Sequence, residues 1–440
     1  MGKALKWVGM VFFCLVLLAL ALYAISRLMP VPEDEVEALA LLDAPDPLPG
    51  KNGFAVLWLL RYDVPLDQAE QLLNQEVARF AAGSITSDPT SYASVFDSLP
   101  RLDSALDDRS MDCRLNETGC LEKARSSQFG YEKGIESREK IASRVAELDA
   151  YDYFRNPFPP RFDMPLPAYD GPTRNLSLHA HAFVRGDAAL ALEGVCRDAS
   201  IARKLVASGD NLIGSMIGVA MMKGTSRLFV EMLAELPADY RLPAECARVF
   251  RADGAMTAAI CPTMIGEGRY ATGSLRAMHK EQEAWYPSRL FFDVEKTAAR
   301  SAPQFTWFCG DQARQRMSQD KPLHHVAASL SPWSLRCAAN AVGCVLTEIA
   351  PVYSDYGLRL QDAEARQKLV GTWLWLREHA AEGRPLAKRL AARPPVLKSP
   401  ARDIRISGDG KTLQIAMYDQ RDGNAWQLPI PDWMADTPDR

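Results

Sequence analysis

The chain has 440 residues, 48% of them hydrophobic and 24% charged, with a net charge of −4. These are globular proportions and exclude a disordered or fibrous chain. Three of the 51 Lys/Arg fall in the first 28 residues, which hold no acid; the rest sets 48 basic against 55 acidic residues. That balance argues against nucleic acid as a partner and against electrostatic docking on anionic lipid.

Residues 7–26, WVGMVFFCLVLLALALYAIS, carry no charge. Twenty helical residues rise about 30 Å, the thickness of a bilayer's hydrocarbon core. Lys3 and Lys6 precede the stretch, and Arg27 and an acidic PVPEDEVE follow it. The positive-inside rule therefore predicts a cytoplasmic N-terminus, with the bulk of the chain across the membrane. A cleaved signal peptide fits less well, because the stretch exceeds the usual about 7–15 residues and Leu22 stands where cleavage after Ala24 needs a small residue. Cys14 lacks the small residues expected before a lipidated cysteine. No later run reaches about 18 apolar residues, so a single span is expected.

Residues 29–50 read as a Pro- and acid-rich tether. A short apolar segment, a turn at Pro65 and a helix over 68–80 follow, then a loop-like stretch over 83–112 and a helix over 121–148. Residues 154–172 hold too many prolines for a helix or a central strand and predict an extended crossing segment. A helix ending near Gly186 comes next. Asp187 then caps a second helix, in which Ala188, Leu192, Val195, Ala199, Ala202 and Val206 recur at alternating four and three residues. Gly209-Asp210 repeats the stop-and-cap signal before a third, nearly all-apolar helix over 211–236, read as buried and central. Its Gly214 and Gly218 lie one turn apart and suit a close helix crossing. Short Gly-Asp links imply antiparallel packing, and no clean repeat period supports a solenoid. More helix is expected over 243–259, 272–284, 331–349 and 362–381. The C-terminus changes period: Ile404/Ile406, Leu413/Ile415/Met417 and Trp426/Leu428/Ile430 alternate around two Gly-Asp turns, the pattern of a three-stranded antiparallel meander.

Eight of the nine cysteines lie beyond the anchor, an even number that suggests disulfides in an exported domain. Cys113/Cys120 and Cys337/Cys344 share the spacing C-x6-C, and each would close a local loop worth about 2–3 kcal/mol. The pairing of Cys196, Cys246, Cys261 and Cys309 stays open. Zinc fits poorly, since no C-x2-C occurs and no histidine is near either pair; no metal or cofactor is expected.

No catalytic motif stands out. Ser215 in Gly214-Ser215-Met216-Ile217-Gly218 sits one place early for a nucleophile elbow and inside a helical pattern. His179 and His181 are two apart on a helix and point away from each other. Glu378-His379-Ala380-Ala381-Glu382 lacks the H-E-x-x-H order of zinc proteases. Three weaker candidates for ligand binding or acid/base work are Glu267, in a glycine-flanked stretch read as a loop, and the adjacent His324 and His325. An aromatic cluster containing Trp285, Tyr286, Phe305 and Trp307 could wall a groove or form core.

Several phrases together, among them NGFAVLWLLRYDVP, CRLNETGCLEKA, LFFDVEKTAA and GKTLQIAMYDQRDGNAWQLPIP, resemble an uncharacterised family of membrane-anchored periplasmic helical proteins of Gram-negative bacteria. The resemblance implies a periplasmic location and a mostly helical body; it assigns no activity.

The expected fold is mainly α: an irregular bundle of αα-hairpins with a small C-terminal antiparallel β meander, preceded by one transmembrane helix. The expected segments are 1–28 anchor, 29–50 tether, 51–398 helical periplasmic domain and 399–440 meander and tail. The anchor, location, acidity and lack of a catalytic constellation point to a non-enzymatic binding or assembly protein of the envelope, held in the inner membrane and meeting a protein partner in the periplasm. An immunity protein against a secreted antibacterial effector is one version. The alternative is an envelope hydrolase acting on lipid or peptidoglycan.

Overall fold

In a computed structural model, residues 2–85, 92–102, 112–127, 135–281, 290–324, 334–349 and 353–435 are described. The longer helices are α1 (Gly2–Leu28), α2 (Glu33–Asp43), α3 (Phe54–Leu59), α4 (Ala69–Ala82), α5 (Cys120–Ser126), α6 (Ile135–Glu147), α7 (Leu176–Val184), α8 (Ala188–Ala207), α9 (Leu212–Glu235), α10 (Ile260–Glu281), α11 (Val294–Ser301), α12 (Ala341–Glu348) and α13 (Ser354–Glu378). Three short strands, β1 (Arg405–Ile406), β2 (Thr412–Ala416) and β3 (Ala425–Pro429), form one antiparallel sheet in the order β1-β2-β3. The chain is thus mainly α with a C-terminal meander and one N-terminal helix long and apolar enough to span a membrane.

The α8–α9 hairpin follows from its punctuation. Asp187 accepts the Leu190 N–H at 3.2 Å and starts α8. Gly209 ends the hairpin turn at φ +57°, a conformation that favours glycine. The cap of α9 is Asn211, not Asp210: its Oδ1 accepts the Gly214 N–H at 2.8 Å. Leu192, Val195, Ala199, Ala202 and Val206 are all sealed, so the 3.6-residue stripe is the packed face. A Cβ on Gly218 would stand 2.7 Å from the Ala202 carbonyl oxygen, so the bare glycine sets the crossing distance of α8 and α9. Helix α9 also packs on α13, and Phe229 stacks on Phe250 at 4.2 Å in the same core.

Several predicted helices are shorter or shifted. The helix expected over 121–148 is two pieces, α5 and α6, with residues 128–134 outside the described set. The one expected over 243–259 breaks at Gly254, where φ is +79°, and α10 begins at Ile260 rather than 272. Residues 29–50 are more than a tether. They contain α2, whose Leu42 is sealed against α10 and residues 303–306, while Arg276 pairs with Asp43 at 2.8 Å. Acidic first-turn residues and apolar spacing made a helix there, and arginines on α10 hold it down.

The meander rests on α13 and α9. Leu413 faces Leu428 and Ile415 faces Trp426, all four buried, so one face of the sheet joins the core. Trp373, fully buried on α13, donates its indole N–H to the Pro429 carbonyl at 2.8 Å. Asp362 on α13 accepts the backbone N–H groups of Tyr418 and Asp419, fixing the chain as it leaves β2.

All eight cysteines beyond α1 are paired: Cys113–Cys120, Cys196–Cys246, Cys261–Cys309 and Cys337–Cys344. The two C-x6-C bridges match the sequence reading. The other two tie α8 to residues 244–249 and α10 to residues 307–309. Cys14 on α1 is free. Four disulfides fit an oxidising compartment.

Candidate functional site

Glu267 is not on a loop. It lies inside α10, and its flanking glycines serve close packing: a Cβ on Gly266 would stand 2.3 Å from the Asp210 and Gly209 carbonyl oxygens, and one on Gly268 2.7 Å from Leu42 Cδ2. The same approach aims Glu267 at the start of α9, where its Oε2 accepts the Leu212 N–H at 3.0 Å. The Glu267 carboxylate therefore sits at the positive end of that helix.

The histidines do not join it. His324 is exposed on an irregular segment, and His325 lies outside the described residues. His179 and His181 are both buried; His179 Nε2 meets Asp198 Oδ2 at 2.8 Å, and burial, helped by Arg185 and Arg138, lowers His181 to about 4. Ser215 bonds Thr263 at 3.1 Å across the α9–α10 contact. Among the aromatics, Phe305 is sealed against Tyr353 with ring centroids 4.6 Å apart, and Trp307 is half-buried beside Phe308; Trp285 and Tyr286 lie outside the described residues. Among the described residues no group of three or more His, Cys, Asp or Glu is placed to hold a metal ion.

Beside Glu267 the fold brings in an acid that sequence reasoning missed. Asp210 accepts the Asn156 N–H at 3.1 Å and the Asn211 side-chain amide at 2.6 Å. Burial, reinforced by the charge of Glu267, pushes Asp210 up to about 7, and burial also raises Glu267. Asp210 lines a cavity of about 220 Å³ with Arg155, Arg269 and Tyr270. Both arginines pair with Asp46, at 2.6 and 3.3 Å, so their charge is compensated. A carboxyl that keeps its proton near neutrality in a cleft is equipped to act as a general acid. The only signal for it in the sequence was an acid at a Gly-Asp turn between apolar helices.

A larger feature is the groove of about 610 Å³ between α5, the C-terminal half of α9 and β3. Leu121, Ala234 and Leu428 supply apolar wall. The Met417–Asn424 and Ile430–Lys411 bonds fix the ladder, so Leu428 and Trp426 pair inward, and Gln427 and Ala425 turn their peptide groups away from β2. Strand β3 is the edge of the sheet. Two buried acceptors on this groove, Glu231 Oε2 and Thr412 Oγ1, have no hydrogen-bond partner among the described residues. The other Glu231 oxygen takes the Gly119 N–H at 2.9 Å. Arg125 on the rim is already engaged by Glu235 at 2.5 Å, and Arg227 donates to the Asn116 carbonyl at 2.7 Å. With Glu122, Glu231, Glu235 and Asp432 against Arg125 and Arg227, the groove lining is net acidic.

In comparison with known proteins the chain matches no family model, no curated protein and no solved structure.

Proposed function

We propose that this chain is a membrane-anchored, periplasmic envelope protein that works by binding a protein partner, and that the groove beside β3 is where it binds. The observation that carries the reading is an edge strand lying along a groove with two buried acceptors, the edge and both acceptors unpartnered among the described residues. An extended segment added to β3 would pair with the outward peptide groups of Ala425 and Gln427, and a basic side chain on it would answer Glu231. The anchor comes from α1 and the periplasmic location from the charge flanking it and the four disulfides.

The test is purification of the full chain from detergent-solubilised membranes after mild cross-linking, beside Gln427→Pro. Proline at 427 removes an N–H that makes no ladder bond, so the sheet tolerates it while strand addition does not. A stoichiometric protein held by the parent and lost from Gln427→Pro supports the groove, and its identity distinguishes an immunity role from an assembly role. A partner retained by Gln427→Pro sinks the groove, and no partner at all sinks the binding reading.

A second reading, an envelope hydrolase, is favoured by Asp210 rather than by the histidines. It requires turnover of a lipid or peptidoglycan substrate that Asp210→Asn abolishes without unfolding the protein.

A further inference from the structure

Helix α1 does not end in free chain. Ser26, in its last turn, is 2% exposed and accepts the Ala339 N–H at 2.9 Å. Lys296 on α11 donates to the carbonyls of Ser26, Arg27 and Met29 and so caps the helix C-terminus. Tyr23 gives its hydroxyl proton to the Leu290 carbonyl at 2.7 Å and meets the Phe291 ring edge-on at 5.9 Å. A tyrosine one turn before the end of the apolar stretch stands at the depth of a membrane–water interface. The body is therefore seated on α1 at the height of the lipid headgroups.

Around that seat the body leaves apolar side chains exposed among the described residues. Leu290, Phe291, Leu335, Val342, Val345 and Ile349 are each between 39% and 71% exposed. They form one neighbourhood. Residues 335–337 touch α1, Asp293 N–H bonds Asn340 at 2.8 Å, and the Cys337–Cys344 disulfide ties residues 335–337 to α12. Val342 and Val345 on α12 and Ile349 at its C-terminal cap fall at i, i+3 and i+7, on one side. Its other face is packed so tightly that a Cβ on Gly343 would stand 1.9 Å from Thr297 Oγ1. Single exposed aliphatics need no explanation; six collected at the mouth of an anchor helix do.

The polar residues beside them are of both signs and largely paired, as in Arg27–Asp293 at 3.2 Å. Lys296, Arg300 and Arg336 line a small cavity of about 30 Å³ with Ser26 and Glu35, and Arg336 pairs with Glu35 at 3.4 Å. Arg300 gives one guanidinium nitrogen to the sulfurs of Cys337–Cys344, while its Nη2 is buried with no partner among the described residues.

We propose, building on the anchored reading, that this face lies in the bilayer: the six apolar side chains enter the headgroup–acyl boundary of the leaflet at the C-terminal end of α1. Helix α12 then acts as an interfacial helix that fixes the orientation of the body. The occupant is lipid because the patch is continuous with α1, whose Tyr23 touches Leu290 and Phe291 and whose end touches residues 335–337.

The test places a benzoyl-phenylalanine photo-crosslinker singly at Leu15, Val345, Ile349 and Val396 of the full chain, in liposomes of phosphatidylethanolamine and phosphatidylglycerol. Val396, exposed on residues 395–397, which pack on α13, is the control. The expected result is that Leu15, Val345 and Ile349 gain the mass of one phospholipid on illumination and Val396 does not. Labelling at Leu15 alone overturns the interfacial face and leaves the anchor standing. No labelling at Leu15 removes the anchor and this inference with it. Labelling at Val396 equal to that at Val345 also overturns it. Two exposed probe sites, one on α12 and one at its C-terminal cap, guard against one substitution disturbing the fold.

Discussion

Arg402 Nη1 lies 2.5 Å from Asp362 Oδ1, and both side chains are sealed from solvent. The same guanidinium reaches Asp320 Oδ1 at 2.6 Å and lies over the Tyr418 ring at 4.0 Å. One arginine thereby joins α13, the chain after residues 311–318, and the meander. Removing one partner of a buried pair strands the other charge and costs about 3–5 kcal/mol. Arg402→Leu should lower stability by that order in denaturant unfolding of the detergent-solubilised protein. A loss no larger than that of an exposed pair such as Arg421–Asp355 would show that Arg402 is dispensable.

The disulfides should differ in worth. Cys196–Cys246 closes 50 residues and Cys113–Cys120 closes 7. Chain entropy assigns the first about 4 kcal/mol and the second about 2.4 kcal/mol. Replacing both cysteines of a pair by alanine should therefore depress the unfolding temperature more for Cys196/Cys246. Alkylation of the denatured, unreduced protein should mark Cys14 alone.

Gly194 makes room for a histidine. A Cβ there would stand 2.3 Å from His179 Cε1 and Nδ1, and the ring is held from the other side by Asp198. Gly194→Ala should destabilise by about 1–3 kcal/mol, the range for an overfilled core. Unchanged stability would mean that the ring moves aside freely.

Asp210 should tilt the pH dependence of stability. Folded, it keeps its proton to about 7; unfolded, it loses it near about 4. Between these values the folded state binds more protons, so the Asp210 contribution is complete below about pH 4 and is lost as pH rises through about 7. His181 runs the other way: lowered to about 4 by burial, it costs stability as pH falls below about 6.5. Asp210→Asn stays uncharged, so its stability relative to the parent should climb between pH 4 and 7 and level off above. A flat difference in thermal unfolding across that range would mean that Asp210 titrates like an exposed carboxyl.

What the sequence disclosed was whatever its signals carry locally. The C-x6-C bridges, the α8 stripe behind Asp187 and the alternation of Leu413/Ile415 against Trp426/Leu428 all rest on neighbours within a few residues. What it hid depends on distant chain. Cys196 gives no hint of Cys246, and Asp210 owes its environment to Asn156 and Glu267, each more than 50 positions away. Glu267 is hard to place from sequence because flanking glycines usually mark a break, whereas here their missing side chains let α10 press on the 209–210 turn and on Leu42. The groove beside β3 was unreadable for the same reason, since α5 and the sheet are separated by most of the chain.

The lock that Lys296 and Ser26 place on the end of α1 governs reach. A domain on a slack leash sweeps a hemisphere; one bolted to its anchor has only sideways travel and rotation about the membrane normal. In a bilayer, every copy would then hold its β3 groove at the same altitude, so a partner meets it only by arriving at that height. Lengthening the joint between α1 and the body would trade this fixed altitude for range.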